Sequence, residues 1–314
     1  MLRHILASDQ FSRKDIERFC RRAAQYKALL KNKTSRLKLQ KTFPGRLMQS
    51  LFFEPSTRTD LSFRAAAHHL GMTVHQVANA KEFSSAVKGE RPEHTGRVIS
   101  GYYSDVIVVR HHEEGGPAKI AERSLAPVIN AGDGGGEHPT QMLLDMFTIQ
   151  ERFKKIDGIR VVLAGDLKYG RTTRSLAIAL SKFNNVELIF VAPKVLEMKK
   201  DIIERLKETS VRITKFEKME EVFQCPFDVW YHTRVQKERL KNEKLTKEDQ
   251  KTFTITTEHL KRFPKKAILM HPLPIAGEIT EEVDHDPRAI YFTQSDNGLP
   301  MRMAILEWVL RGVQ

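Results

Sequence analysis

The chain has 314 residues, of which 40% are hydrophobic and 29% charged. That length suits two domains of ordinary size, and that composition supports a packed core and excludes a disordered chain. The formal net charge of +13 reads as a solvated basic surface, with the steering of anionic small substrates as its second use.

Along the chain, short β-branched runs alternate with helical patterns. Leu47 to Phe53 predicts a strand, and Ser56 then caps a helix that stops at Gly71. Asp105 to Arg110 predicts a second strand and Pro127 to Ala131 a third, followed by a glycine-rich turn and a helix over about 139–153. A boundary falls near Lys154-Lys155-Ile156-Asp157-Gly158. Beyond it the alternation restarts with strands at Arg160 to Ala164 and Val186 to Val191, and a helix from about Thr172 between them. Such alternation predicts an α/β fold of two domains, each a mainly parallel sheet flanked by helices, with the active site in the interdomain cleft. The expected domains are residues 1–140 together with a C-terminal helix at 296–314, and residues 150–290. Met301, Met303, Ala304, Leu306 and Val309 form an apolar stripe at helical spacing, which predicts that the last helix packs back on the first domain.

No apolar run approaches the roughly 20 residues that a bilayer-spanning helix needs. The first residues carry no signal-peptide pattern. Cys20 and Cys225 are the only cysteines and lack metal-type spacing, so the expectation is a reduced, cytoplasmic protein without a membrane partner. The densest lysine stretch, Lys237 to Lys251, comes with no recognisable nucleic-acid module, and no nucleic-acid partner is expected.

Five segments carry chemistry. In Glu54-Pro55-Ser56-Thr57-Arg58-Thr59 a strand meets a helix. Free N–H groups at a helix start favour an anion, hydroxyls add donors, and the Arg58 guanidinium suits phosphate. An ordinary serine cap beside a surface arginine explains the same residues equally well. In Gly132-Asp133-Gly134-Gly135-Gly136-Glu137-His138-Pro139-Thr140-Gln141, glycines permit close backbone approach, and His138 and Gln141 share a helix face. His138 could donate to a carbonyl oxygen or move a proton; a capping loop with a solvated histidine is the plainer reading. Gly165-Asp166-Leu167-Lys168-Tyr169-Gly170-Arg171-Thr172 almost matches the phosphate-binding pattern of nucleotide hydrolases, but Arg171 replaces the lysine that reaches the phosphates. Thr233 to Arg239 is either a carboxylate-binding arginine cluster or a solvated basic face. His271-Pro272-Leu273-Pro274 alone reads as a proline-rich turn.

Taken in order, these segments, with the Ser85-Ala86-Val87-Lys88-Gly89-Glu90 loop and the strand-closing Arg110, resemble the catalytic chain of the aspartate carbamoyltransferase family along nearly the whole length. The sister ornithine branch usually carries cysteine where Pro272 stands, and Arg234-Val235-Gln236 is the aspartate-type signature. The resemblance implies transfer of a carbamoyl group from carbamoyl phosphate to L-aspartate, the committed step of pyrimidine biosynthesis, with no metal or cofactor. It implies that Ser56, Thr57, Arg58 and Thr59 hold the phosphate, that Thr59, Arg110 and His138 surround the carbonyl oxygen, and that Gln141 contacts the carbamoyl amide. Arg171 and Arg234 would hold the aspartate carboxylates, with Gln236 and Lys88 nearby and the backbone at Leu273 and Pro274 orienting the amine. Ser84 and Lys88 would come from a neighbouring subunit of a homotrimer, and Glu54 and Arg239 would pin the closed domains. A regulatory chain or a larger assembly stays open. So do two alternatives: a catalytically impaired paralogue serving as a trimeric scaffold, and a carbamoyltransferase for another amino acid. Asp60, Ile275 and Gly277 depart from the family pattern, and Asp60 places negative charge beside the phosphate turn.

Overall fold

The computed structural model describes residues 3–236 and 253–311. The chain divides into two compact units, Met1–Phe147 with Asp296–Gln314, and Thr148–Ser295.

Unit 1 runs α1 (Arg13–Leu30), α2 (Lys33–Leu39), β1 (Leu47–Phe52), α3 (Thr57–His69), β2 (Thr73–Val77) and the short α4 (Ala80–Phe83). A 3-10 turn at Ser85–Lys88 precedes α5 (Pro92–Ser100), β3 (Val106–His111), α6 (Gly116–Glu122), β4 (Val128–Asp133) and α7 (Pro139–Phe153), within which the division falls. The helix starts are set locally. Ser12 accepts from the Asp15 N–H at 3.2 Å while its own N–H donates to the Asp15 carboxylate at 2.9 Å, a reciprocal box that begins α1. The four strands are parallel in the order β2-β1-β3-β4. β3 and β4 are buried throughout, as strands covered on both faces must be, which is why β3 begins as the continuous apolar run Val106 to Val109. β3 starts one residue later than expected. Asp105 lies outside the strand because its carboxylate takes the Leu47 N–H at 2.7 Å and pairs with Arg46. β4 extends past Ala131 because Asp133 still pairs with His111.

Unit 2 runs β5 (Arg160–Ala164), α8 (Arg171–Leu180), β6 (Glu187–Val191), α9 (Lys200–Lys207), β7 (Arg212–Phe216), α10 (Met219–Val222) and β8 (Val229–His232). It continues with α11 (Thr257–Lys261), β9 (Ile268–Met270) and α12 (Tyr291–Asp296). Its five strands are parallel in the order β7-β6-β5-β8-β9. One side of this sheet packs on Phe227, Trp230 and Phe263, with the Trp230 and Phe263 ring centroids 5.3 Å apart.

The last helix, α13 (Gly298–Leu310), belongs to unit 1 and packs on α1 and α3. The apolar stripe read from the sequence understates it. Arg302, Ile305 and Glu307 are buried along with the stripe residues, so the helix is enclosed on most of its circumference. Glu307 is accommodated there because Arg22 pairs with it and the Tyr26 hydroxyl donates to it at 2.9 Å.

Candidate active site

In a parallel open sheet, ligands bind beyond the carboxyl ends of strands where the strand order reverses direction. In unit 1 that point lies between β1 and β3, because the chain steps from β1 outward to β2 and then returns to β3 on the other side. The segment 54–59 leaves β1 there, and Arg110, paired in register with Phe52, is the next-to-last residue of β3 beside it. Arg110 Nη2 lies 2.6 Å from Glu54 Oε1, and its Nη1 donates to the Ala131 carbonyl at 3.4 Å, so the segment after β1 and the strand β4 together fix its fork. Ser56 occupies the N-cap position of α3, but its side chain makes no capping bond. The N–H groups of the first turn therefore remain available to an anion. Thr59 is buried and Arg58 exposed. Partial desolvation lowers the Arg58 guanidinium from its ordinary pKa.

His138 and Gln141 are both buried, at the start of α7. Their histidine was the plainer candidate for a solvated residue, and it is instead enclosed, with Nδ1 3.4 Å from the Thr140 hydroxyl. The preceding glycine turn is shaped from within. Asp133 accepts from the Glu137 N–H at 2.6 Å and the Gly115 N–H at 2.9 Å. At Gly134, φ is +37° and a Cβ would come within 2.6 Å of the His112 carbonyl, so internal packing demands the glycine. Ser84 and Lys88 stand on the separate turn that ends at Lys88, the lysine exposed. Among the described residues no hydrogen bond or ion pair ties either to the 54–59 turn.

In unit 2 the reversal lies between β5 and β8. The 165–171 turn leaves β5 and the 233–236 segment leaves β8, and Asp166 joins them. Its carboxylate is buried and accepts from the Tyr169 N–H at 2.9 Å and the Gln236 N–H at 3.0 Å. Gln236 Nε2 returns to the Tyr169 carbonyl at 2.8 Å. The Asp166 carboxylate takes one N–H of the turn and sets a negative charge inside it, which disfavours a phosphate there and with it the nucleotide-hydrolase reading. Arg171 and Arg234 remain half-buried on either side of this hub. Further along, Leu273 adopts φ +52° and donates its N–H to His271 Nδ1 at 2.9 Å. His271 Nε2 faces Glu278 at 2.8 Å. Burial would raise the Glu278 carboxyl, but hydrogen bonds from His271 and the backbone outweigh it and hold its pKa below the ordinary value. Arg239 and the lysines from 237 to 251 lie outside the described residues.

The carbamoyl-P binding domain model of the aspartate/ornithine carbamoyltransferases matches residues 3–151, and their Asp/Orn binding domain model matches residues 157–309. The chain belongs to the aspartate/ornithine carbamoyltransferase family. It is thus a transferase. It is 50% identical over 270 residues to the chloroplastic aspartate carbamoyltransferase of Arabidopsis thaliana, covering 85% of this chain and 68% of that protein. The catalytic subunit of Methanocaldococcus jannaschii aspartate transcarbamoylase superposes with a TM-score of 0.88 at 42% identity, covering 98% of both chains. Trypanosoma cruzi aspartate transcarbamoylase, solved in complex with carbamoyl phosphate and aspartate, superposes with a TM-score of 0.85 at 37% identity, covering 97% of this chain and 95% of that one.

The three departures from the carbamoyltransferase pattern each have a local explanation. The Asp60 carboxylate accepts from Ser50 Oγ at 2.8 Å and from Gln76, and lies 3.8 Å from Arg64 one turn along α3, so its charge is engaged. Ile275 packs against the aromatic core of unit 2. Gly277 has φ +104°, where an aspartate would be strained. The sequence reading missed Asp166, Glu278 and Asp145 as organising groups. Only Asp145 left a signal, four residues after Gln141 on one helix.

Proposed function

We propose that the chain catalyses the reaction of carbamoyl phosphate with L-aspartate to give N-carbamoyl-L-aspartate and phosphate, the committed step of pyrimidine biosynthesis. The observation that carries this reading is the pairing of two anion-directed clusters, each at the switch point of its own sheet, the first opening on the uncapped start of α3. Residues 1–140 with the helix at 296–314 bind carbamoyl phosphate, and residues 150–290 bind aspartate. Ser56, Thr57, Arg58 and Thr59 take the phosphate. Thr59, Arg110 and His138 surround the carbonyl oxygen, and Gln141 meets the carbamoyl amide. Arg171 and Arg234 take the aspartate carboxylates beside Gln236, and the carbonyls at Leu273 and Pro274 orient the amine.

The neutral amine attacks the carbonyl carbon. As the C–N bond forms, negative charge moves to the oxygen, where Arg110, Thr59 and His138 stabilise it. Collapse of the intermediate breaks the bond to phosphate, and the amine proton passes to the departing phosphate. Much of the acceleration comes from holding two anions side by side in reacting geometry.

The working unit is a homotrimer in which Ser84 and Lys88 enter the neighbouring subunit's site. Large exposed apolar side chains between residues 61 and 103, namely Leu61, Phe83, Val87, Val98, Tyr102 and Tyr103, support burial against another copy. The free thiols of Cys20 and Cys225 support a reducing, cytoplasmic setting, and among the described residues no helix is long and apolar enough to cross a membrane. A colorimetric assay for carbamoyl amino acid, run with aspartate and then with ornithine, tests the reading. Product with aspartate alone is expected. Product with ornithine alone overturns the substrate, and none from a folded trimer overturns the activity.

A further inference from the structure

Gln141 and Asp145 lie one turn apart on α7, and both are buried. Gln141 Nε2 donates to Asp145 Oδ1 at 3.0 Å. An ionised carboxylate only accepts, so it can engage only the NH2 end of the amide. The Gln141 oxygen is thereby turned away from Asp145. Arg302 of α13, itself fully buried, interacts electrostatically with Asp145. Burial lowers the Arg302 guanidinium to about 10 while the charge of Asp145 opposes the fall, so the cation persists at neutral pH. The position of Arg302 is built in. Its guanidinium carbon lies 5.2 Å from the centre of the Phe63 ring, and a Cβ at Gly298 would come within 2.4 Å of its Nη1.

We infer that Asp145, supported by Arg302, is a positioning residue that sets donor specificity by presenting Gln141 Oε1, and not Nε2, to the NH2 group of carbamoyl phosphate. This rests on the proposed role of Gln141 as the carbamoyl contact. A carbamoyl donor has two N–H hydrogens to place on an acceptor. An acetyl phosphate, with a methyl group in that place, has none. With the amide reversed, two NH2 groups would face each other, and the preference for carbamoyl phosphate would vanish. Selectivity at one atom would thus originate from a carboxylate with no contact to the substrate. Sites built around a hydrogen-bonding substrate group reject analogues that lack it.

The test compares three ligands in the assembled enzyme: the KM for carbamoyl phosphate and the inhibition constants of acetyl phosphate and inorganic phosphate. Asp145→Asn is expected to weaken carbamoyl phosphate by about tenfold, the scale of one hydrogen bond, with acetyl phosphate and phosphate unchanged. A merely structural role would weaken all three together, and that result overturns the inference. Gln141→Leu is the control. If it leaves the carbamoyl-to-acetyl ratio unchanged, the carbamoyl contact itself is misassigned. If it abolishes the ratio while Asp145→Asn preserves it, the contact stands and the orienting role falls. Since Asp145→Asn leaves Arg302 without its counter-charge, the double variant Gln141→Glu with Asp145→Asn covers the case in which the single variant does not fold. It keeps the net charge and reverses the internal hydrogen bond, yet still presents an oxygen to the donor. The ratio is expected to be retained within a few-fold; its loss in the folded double variant overturns the inference.

Discussion

Arg58 shows how far a single residue can be read before its surroundings are known. In sequence it was equally a surface arginine beside a serine cap. The fold places it on the uncapped first turn of α3, where Ser56 leaves the backbone donors open. Arg58→Ala is therefore expected to lower turnover by about 10²–10³, as loss of a preorganised donor does. Arg58→Lys should restore little, because a point charge does not reproduce the fork. Steady-state rates of the two variants check this, and near-normal turnover in Arg58→Ala would place the phosphate elsewhere. His232 carries a prediction of another kind. It is fully buried, its Nδ1 accepts from the Trp230 indole at 3.2 Å, and Nε2 lies 2.9 Å from the Phe253 carbonyl. Burial, helped by the nearby His271, pushes its pKa from 6.5 down to about 4. The histidine is neutral when folded and protonates in the unfolded chain once pH falls below 6.5. Its contribution to stability is thus complete above about pH 6.5 and is lost as pH falls towards 4, on the order of 3 kcal/mol in all. Denaturant titrations of His232→Gln across that window should show a flatter acid limb than the parent. An unchanged limb would mean that other groups govern acid unfolding.

At the scale of elements, the turns after the strands decide more than the strands do. The apolar runs of β1, β3, β5 and β6 were visible because a strand buried on both faces has little room for polar side chains. The 165–171 turn was visible only as a string of residue types. Its purpose depends on β8, almost seventy residues away in sequence, whose following segment closes on it through Asp166. At Gly165 φ is +101°, and a Cβ would come within 2.2 Å of the Thr233 carbonyl. Gly165→Ala must then part the two segments by about 1 Å, a displacement that can reduce catalysis by about 10². The loss should fall on kcat/KM for aspartate, with the KM for carbamoyl phosphate little changed. Equal loss on both substrates would show that the turn serves the whole enzyme and not one substrate.

At the scale of the molecule, the proposed role of the exposed loop with Ser84 and Lys88 can be tested by subunit mixing. If each site takes Arg58 from one subunit and Lys88 from its neighbour, trimers of Arg58→Ala and trimers of Lys88→Ala are both nearly inactive. Mixed, dissociated and reassembled, they should regain roughly a quarter of the unmutated activity, since an intact pairing arises at about one site in four on a ring of identical contacts. Native mass spectrometry verifies the exchange. With exchange verified and no activity regained, the loop serves its own subunit.

The sequence by itself determined the α/β class, most strand positions, and the family, through motifs whose order along the chain survives without knowledge of their contacts. It also supplied the candidate residues at 54–59, 110, 138, 141, 171 and 234. What the tertiary structure alone decided was how those residues are held. Asp60, ominous beside a phosphate turn, has its charge taken up by Ser50, Gln76 and Arg64. Asp166 became a hub, and α13 an enclosed helix carrying a buried guanidinium that Asp145 influences electrostatically. The reason is physical. Backbone pairing and burial imprint local periodicity on a sequence, whereas the partners of a buried charge come from whichever distant segments the fold brings beside it.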